Sequence, residues 1–184
     1  QGAIDASYDG MTISLMAGTY TGDGDGDSVI TLPEHGITIF GIDGAESTII
    51  DGQGTRRGLI GDGCGDNGTV IDGLTFQNGQ AENGGGIHLN DCSPIIRNCS
   101  ILDNIAIQDG GGIWYANSSP TITNCTFDRN SANRGGGINN QSGGSVSITD
   151  TIFSENNATD EGGGMFDQSS MASLTGCTFT GNTA

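Results

Sequence analysis

The feature that most constrains this chain is a repeat of 26 residues that begins at residue 69. The stretch 69–76 recurs at steps of 25, 26, 26 and 26 residues, in 94–101, 120–127, 146–153 and 172–179. Length changes of one residue fall in the polar stretches between these segments, which indicates exposed turns. A repeat of this length predicts a solenoid in which each repeat is one coil.

Each repeat holds three short pieces with the alternation typical of strands: a Gly-Gly-Ile piece, a Thr-Ile-Thr piece and a Cys-Thr-Phe piece. No stretch has the periodicity of a long helix. We therefore predict an all-β parallel solenoid with three strands per coil and about 21–27 residues per coil. Equivalent residues should then stack one strand spacing apart, about 4.8 Å.

This stacking turns the repeat into columns of equivalent residues. One inward column should be aromatic and aliphatic, and holds Phe76, Ile101, Phe127, Phe153 and Phe179. A turn column of asparagines, whose amides can hydrogen-bond from coil to coil, holds Asn104, Asn130, Asn156 and Asn182. A third column holds Cys99, Cys125, Thr151 and Cys177, for which we expect buried free thiols, with a disulfide between adjacent coils as the alternative.

The repeat also divides the chain, which we interpret as one domain over 1–184. Residues 1–68 form irregular coils, in which 1–8 is expected to be a short helical cap, and 69–184 form the regular coils. The last residues stop within a repeat and carry no recognisable cap. We expect the array to continue there, or another subunit to stack on that end in a head-to-tail contact.

The charge of the chain narrows its partners. It has five Arg, no Lys and 22 acidic residues, for a net charge of −17. Nucleic acid and anionic lipid are therefore poor partners, and no apolar stretch is long enough to insert into a membrane. Asp23, Asp25 and Asp27 alternate with glycines and form the candidate Ca²⁺ loop, with a solvated turn as the alternative.

Two motifs of the repeat have a counterpart in a known family. The pairing of Phe-x-x-Asn, as in 127–130, with Gly-Gly-Gly-Ile, as in 110–113, resembles the repeat of polymorphic outer-membrane proteins and of the wider group of bacterial right-handed β-helix proteins. The resemblance covers nearly the whole chain. It implies a right-handed single-stranded parallel β-helix, a fold that hosts lyases, hydrolases, adhesins and passive stalks.

Features that would favour an enzyme are weak. The Asn-Thr-Asp, Gly-Asp-Asp, Gly-His-Gly and Arg-Ile-Lys signatures of galacturonase-like hydrolases are absent. Arg97 is expected to form a surface ion pair with Asp72 one coil back, and His88 to be a surface histidine. Trp114 and Tyr115 are the candidate residues for stacking on sugar rings, with ordinary packing as the alternative.

The sequence thus predicts no catalytic residues. We expect a non-enzymatic module at the cell surface or outside the cell: an adhesin, a stalk or a segment of a self-assembling filament. The alternative is a carbohydrate-binding or polysaccharide-cleaving β-helix domain of a secreted protein, with an extracellular glycan as its partner.

Overall fold

A computed structural model describes residues 1–22, 26–66, 68–168 and 172–184. After helix α1 (Gly2–Asp5), the chain winds through six coils and begins a seventh. The first two coils hold β1 (Met11–Leu15), β2 (Gly18–Tyr20) and β3 (Ser28–Thr31), then β4 (Ile37–Gly41), β5 (Thr48–Asp51) and β6 (Arg57–Gly65).

Coils three to six each hold four strands, and the seventh begins with two. They are β7 (Val70–Asp72), β8 (Thr75–Gln77), β9 (Gln80–Asn83) and β10 (Ile87–Cys92); β11 (Ile95–Arg97), β12 (Ser100–Leu102), β13 (Ile105–Asp109) and β14 (Ile113–Ala116); β15 (Thr121–Thr123), β16 (Thr126–Asp128), β17 (Ser131–Arg134) and β18 (Ile138–Ser142); β19 (Ser147–Thr149), β20 (Ile152–Ser154), β21 (Asn157–Glu161) and β22 (Met165–Asp167); and β23 (Ser173–Thr175) and β24 (Thr178–Thr180).

Strands at the same place in successive coils pair in parallel. Within the described ranges they form four sheets: sheet 1 from β1 to β23, sheet 2 from β2 to β24, sheet 3 from β3 to β22, and sheet 4 from β9 to β21. The predicted parallel solenoid is confirmed. Sheet 4 is an addition to the three predicted strands per coil, because its segments are polar, vary in length and lack an obvious strand pattern.

The register of the strands places equivalent residues of successive repeats side by side. In sheet 1, Ile96 pairs with Ile122 and Ile122 with Ile148, and in sheet 2, Phe127 pairs with Phe153. These side chains are fully buried. In β11, β15, β16, β19 and β20 only the central residue of the three is buried, because side chains alternate between the two faces of a strand.

Glycine triplets form the corner between sheets 4 and 3. The first glycine has positive φ, with 66° at Gly110. The third needs close backbone approach, because a Cβ at Gly112 would lie 2.5 Å from the carbonyl oxygen of Gly137 in the next coil. Gly110 is thus required by its positive φ, and Gly112 by the close approach of the next coil.

The two ends of the solenoid differ. Helix α1 lies over the first coil and buries Ile4, which confirms the expected helical cap. In the last coil Leu174 and Phe179 remain 46% and 45% exposed. No helix among the described residues is long and apolar enough to span a membrane.

Candidate functional site: the ladders between coils

The asparagine column forms a continuous amide ladder. The Oδ1 atom of Asn130 accepts hydrogen bonds from the backbone N–H and the Nδ2 of Asn104, at 3.1 and 3.0 Å. The same pair of bonds links Asn130 to Asn156, and Asn156 to Asn182. Asn104, Asn130 and Asn156 are fully buried, and the predicted ladder is confirmed.

Each ladder amide also ties down the preceding coil. The Nδ2 of Asn130 donates to the carbonyl oxygen of Ile101 at 2.8 Å, and the Nδ2 of Asn156 donates to that of Phe127 at 2.9 Å. The residue before each asparagine has positive φ, 52° at Arg129. This turn directs the amide into the coil. There its hydrogen bonds to protein groups replace the bonds that it would otherwise make to water.

The phenylalanine column stacks beside the amide ladder. The ring centroids of Phe127 and Phe153 are 4.8 Å apart, and those of Phe153 and Phe179 are 4.5 Å apart, with nearly parallel planes. Ile101 interrupts the stack between Phe76 and Phe127. Burial of these rings stabilises the coil contacts without any specific ligand.

The cysteines divide into two groups. Cys99, Cys125 and Cys177 are free thiols, as expected for the inward column. Cys64 and Cys92 form a disulfide between the second and third coils, with Cα atoms 4.7 Å apart. The sequence reasoning missed this pair, because their separation of 28 residues departs from the repeat and the strands shift register between Asn90 and Cys92.

Polar side chains on the outer surface pair along the coil axis. Arg97 Nε lies 2.9 Å from Asp72 Oδ2, which confirms the expected ion pair. Arg134 holds the almost fully buried carboxylate of Asp109 through two bonds of 2.9 and 2.8 Å. In each case the partner lies one coil away, so these contacts join coils to each other.

Titration of the charged groups follows the same pairing. The hydrogen bond and charge of Asp103 raise the pKa of Arg129 above its ordinary value. Burial works to raise the pKa of Asp51, but hydrogen bonds from Gln77, the Gln53 backbone and Asn78 outweigh it, and the pKa is lowered. Both groups therefore stay charged at neutral pH.

The expected exposed aromatic patch at Trp114 and Tyr115 is wrong. Tyr115 follows the inward Ile113 by two positions and is fully buried. Trp114 faces outward but is only 8% exposed, because His88 of the preceding coil stacks on it at 4.4 Å. Neither ring offers a free face of the kind that stacks on a sugar.

His88 is correspondingly less accessible than a surface histidine. Burial, together with repulsion from Arg57, lowers the pKa of His88 from 6.5 to about 4. Its Nδ1 is buried and has no hydrogen-bond partner among the described residues. The ring is therefore neutral at neutral pH and contributes by packing on Trp114.

The candidate calcium loop is described only in part. Asp23 and Asp25 lie outside the described residues, and Asp27 is exposed. Within the ranges that the structure describes, no group of three His, Cys, Asp or Glu side chains is placed to hold a metal ion.

The outer face of sheet 1 carries a regular set of hydroxyl groups. In three successive coils both outward positions are Ser or Thr: Thr121, Thr123, Ser147, Thr149, Ser173 and Thr175. These hydroxyls have no hydrogen-bond partner in the described part of the chain. The face is uncharged over these three coils, whereas the two preceding coils carry Arg97 and Asp72 there.

The geometry is that of a parallel β-solenoid in which the inner and outer polar groups join neighbouring coils. Residues 35–184 match the model of the family described as the right-handed beta helix region. The chain belongs to this family, in agreement with the resemblance of its Phe-x-x-Asn and Gly-Gly-Gly-Ile motifs. Searches of curated proteins and of solved structures find no significant match.

Proposed function

We propose that the chain is a non-enzymatic structural module of a surface or secreted protein, a rigid acidic rod that serves as a stalk, an adhesin segment or a filament segment. The observation that carries this is the pairing of polar groups between coils. The side chains that could form a polar site, such as Arg97, Arg129 and Arg134, are each bound to a carboxylate one coil away.

This pairing favours stiffness. Sliding or bending one coil against the next would break the amide ladder, the backbone ladders and the ion pairs together. A buried amide without its partner costs ~1–3 kcal/mol, so the coils resist independent movement. A rigid rod holds its two ends at a fixed separation, as a stalk or spacer requires.

Two properties support a location outside the cell. The Cys64–Cys92 disulfide is typical of oxidising compartments. The net charge of −17 suits a saline medium, in which self-repulsion is screened. Both are general tendencies, and the proposed location rests on their agreement.

Two measurements test the proposal: the length of the particle after insertion of further coils, and enzymatic turnover of polysaccharides. Insertion of three further copies of 120–145 should lengthen the particle by about 14 Å in small-angle scattering, at one strand spacing per coil. The protein should also release no reducing ends or unsaturated uronates from a panel of pectic, alginate and neutral polysaccharides. A compact particle, or turnover of any substrate that is lost on Arg97→Ala, would overturn the proposal.

Glycan binding is the second candidate, and the hydroxyl face of sheet 1 favours it. Six unpaired hydroxyls at regular spacing can bond to a neutral polysaccharide lying along the coil axis. A glycan array run with the wild type and with Thr149→Lys would decide, with Thr159→Lys on sheet 4 as the matched control. Binding lost in Thr149→Lys and kept in the control would establish this function.

A further inference from the structure

Two of the free thiols lie one above the other at the corner between sheets 1 and 2. Cys99 and Cys125 stand between the paired positions Arg97–Thr123 and Ser100–Thr126, so they occupy the same place in successive coils. Both are only 2% exposed.

The spacing of the coils is compatible with a disulfide at this place. Neighbouring strands lie about 4.8 Å apart, and disulfides join Cα atoms separated by about 4.4–6.8 Å. The Cys64–Cys92 disulfide already spans two adjacent coils of this solenoid with a Cα separation of 4.7 Å. Each thiol donates to the backbone carbonyl two residues before it, Cys99 to Arg97 at 3.1 Å and Cys125 to Thr123 at 3.3 Å, so the two side chains have the same orientation in successive coils.

We propose that Cys99 and Cys125 are an oxidisable dithiol and form a second disulfide between coils when the protein meets a disulfide oxidant. Cys177 is the built-in contrast, because the residue one coil before it is Thr151. The inference concerns chemistry of the core, and it stands whether or not the rod role proposed above is correct.

The reaction balances as a thiol–disulfide exchange. The Cys125 thiolate attacks one sulfur of a small disulfide such as oxidised glutathione, which breaks the S–S bond and releases one thiolate. The Cys99 thiol loses its proton and attacks the Cys125 sulfur, which releases the second thiolate. The net change is two cysteine thiols oxidised to a disulfide and one oxidant disulfide reduced to two thiols.

The electrostatics assign the roles of the two residues. The hydrogen bond from Cys99 lowers the pKa of Cys125. Burial, and then the neighbouring Cys125, raise the pKa of Cys99 well above its ordinary value. As the coils close, Cys125 is therefore the more readily ionised of the two thiols.

Burial dictates the design of the test. The full chain is unfolded without reductant and refolded in buffers of fixed ratios of reduced to oxidised glutathione, so that the thiols are accessible while the coils form. Free thiols are then counted after denaturation, and linked peptides are identified by mass spectrometry. A shift in melting temperature is measured on the same samples.

We expect the count to fall from the three free thiols of Cys99, Cys125 and Cys177 to one. The new linked peptide should join Cys99 to Cys125, and the melting temperature should rise. The Cys125→Ser variant should keep its two thiols, and Cys177→Ser should still form the link. Three remaining thiols in a refolded protein that has kept Cys64–Cys92, or a link through Cys177, would overturn the proposal.

A second variant, Thr151→Cys, tests the proposal even if Cys125→Ser folds poorly. Thr151→Cys places a cysteine next to both Cys125 and Cys177 without removing any native thiol. If coil spacing is what permits the link, this variant should lose all four of its free thiols under the same conditions. A variant that folds and keeps all four would contradict the inference.

Discussion

The Oδ1 atom of Asn130 accepts two hydrogen bonds from Asn104, one from its backbone N–H and one from its side-chain amide, at 3.1 and 3.0 Å. One side chain thus satisfies two buried donors of the preceding coil. Its own Nδ2 satisfies the carbonyl of Ile101. A single side chain at this turn therefore joins three polar groups of one coil to the next.

Replacement of Asn130 by Ala should destabilise the protein by several kcal/mol. The change removes the partner of the Asn104 backbone N–H and of one of the two Asn104 side-chain hydrogens, and it removes one bond to the Ile101 carbonyl. A buried polar group left unpaired costs ~1–3 kcal/mol. Denaturant unfolding gives the measurement. The control is Asn133→Ala, since Asn133 is exposed and accepts one bond from Thr159; equal midpoints for the two variants would contradict the ladder's role.

Loss of the Cys64–Cys92 disulfide should cost about 3 kcal/mol, because the bond closes a loop of moderate length. We expect Cys64→Ser to lower the unfolding midpoint and to abolish the effect of added reductant. Cys177→Ser, at a partly exposed thiol, is the control and should keep the wild-type response. A wild type whose midpoint ignores reductant would argue against this link.

His88 should make the protein sensitive to mild acid. The unfolded histidine titrates near 6.5 and the folded one near 4, so the unfolded state binds the proton more tightly. Stability should therefore fall as the pH falls from 6.5 towards 4, by at most ~3 kcal/mol at 1.36 kcal/mol per pKa unit. The difference between wild type and His88→Gln isolates this effect from the carboxylates, and parallel pH profiles would rule it out.

The acidic loop gives a test of calcium binding. If Asp23, Asp25 and Asp27 hold Ca²⁺, chelation should lower the melting temperature, and Asp25→Asn should remove the difference between chelated and calcium-loaded protein. A melting temperature that does not respond to chelator at physiological calcium would leave the loop as a solvated turn.

The exposed edge of β24 predicts self-association of the 184-residue chain. β24 pairs with β20 on one edge only within the described chain, and Leu174 and Phe179 are half exposed beside it. Such edges template further pairing, and a head-to-tail contact leads to fibres. Light scattering should increase with concentration, and Leu174→Glu should suppress it while Thr159→Glu should not. A monomer at high concentration with an ordered last coil would disprove this expectation.

The sequence predicts best the contacts between equivalent residues of successive repeats. The columns of Asn130 and Phe127 follow from the 26-residue step, because each partner is the same residue in the next coil. The burial of Tyr115 was also readable, since it lies two positions after the inward Ile113 in a strand. Alternation along the strand is thus a better guide to exposure than the presence of an aromatic pair.

Other features leave no such trace. Cys64 and Cys92 are joined across a register shift in the least regular part of the chain, so no column connects them. The stacking of His88 on Trp114 depends on two different residues at equivalent outward positions of adjacent coils. Contacts between unlike side chains depend on the packing of the actual coils, and neither spacing nor composition specifies them.

The bonds between successive asparagines of the ladder have a direction, with the donors on one coil and the acceptor on the next. Asn104 is completed by Asn130, and Asn130 by Asn156, so every internal coil supplies what its predecessor lacks. Removal or duplication of 26 consecutive residues between Asn104 and Asn182 therefore leaves the rungs matched. Recombination between repeats can change the reach of such a protein in a single event, and a gene built this way can vary its length without first losing its fold.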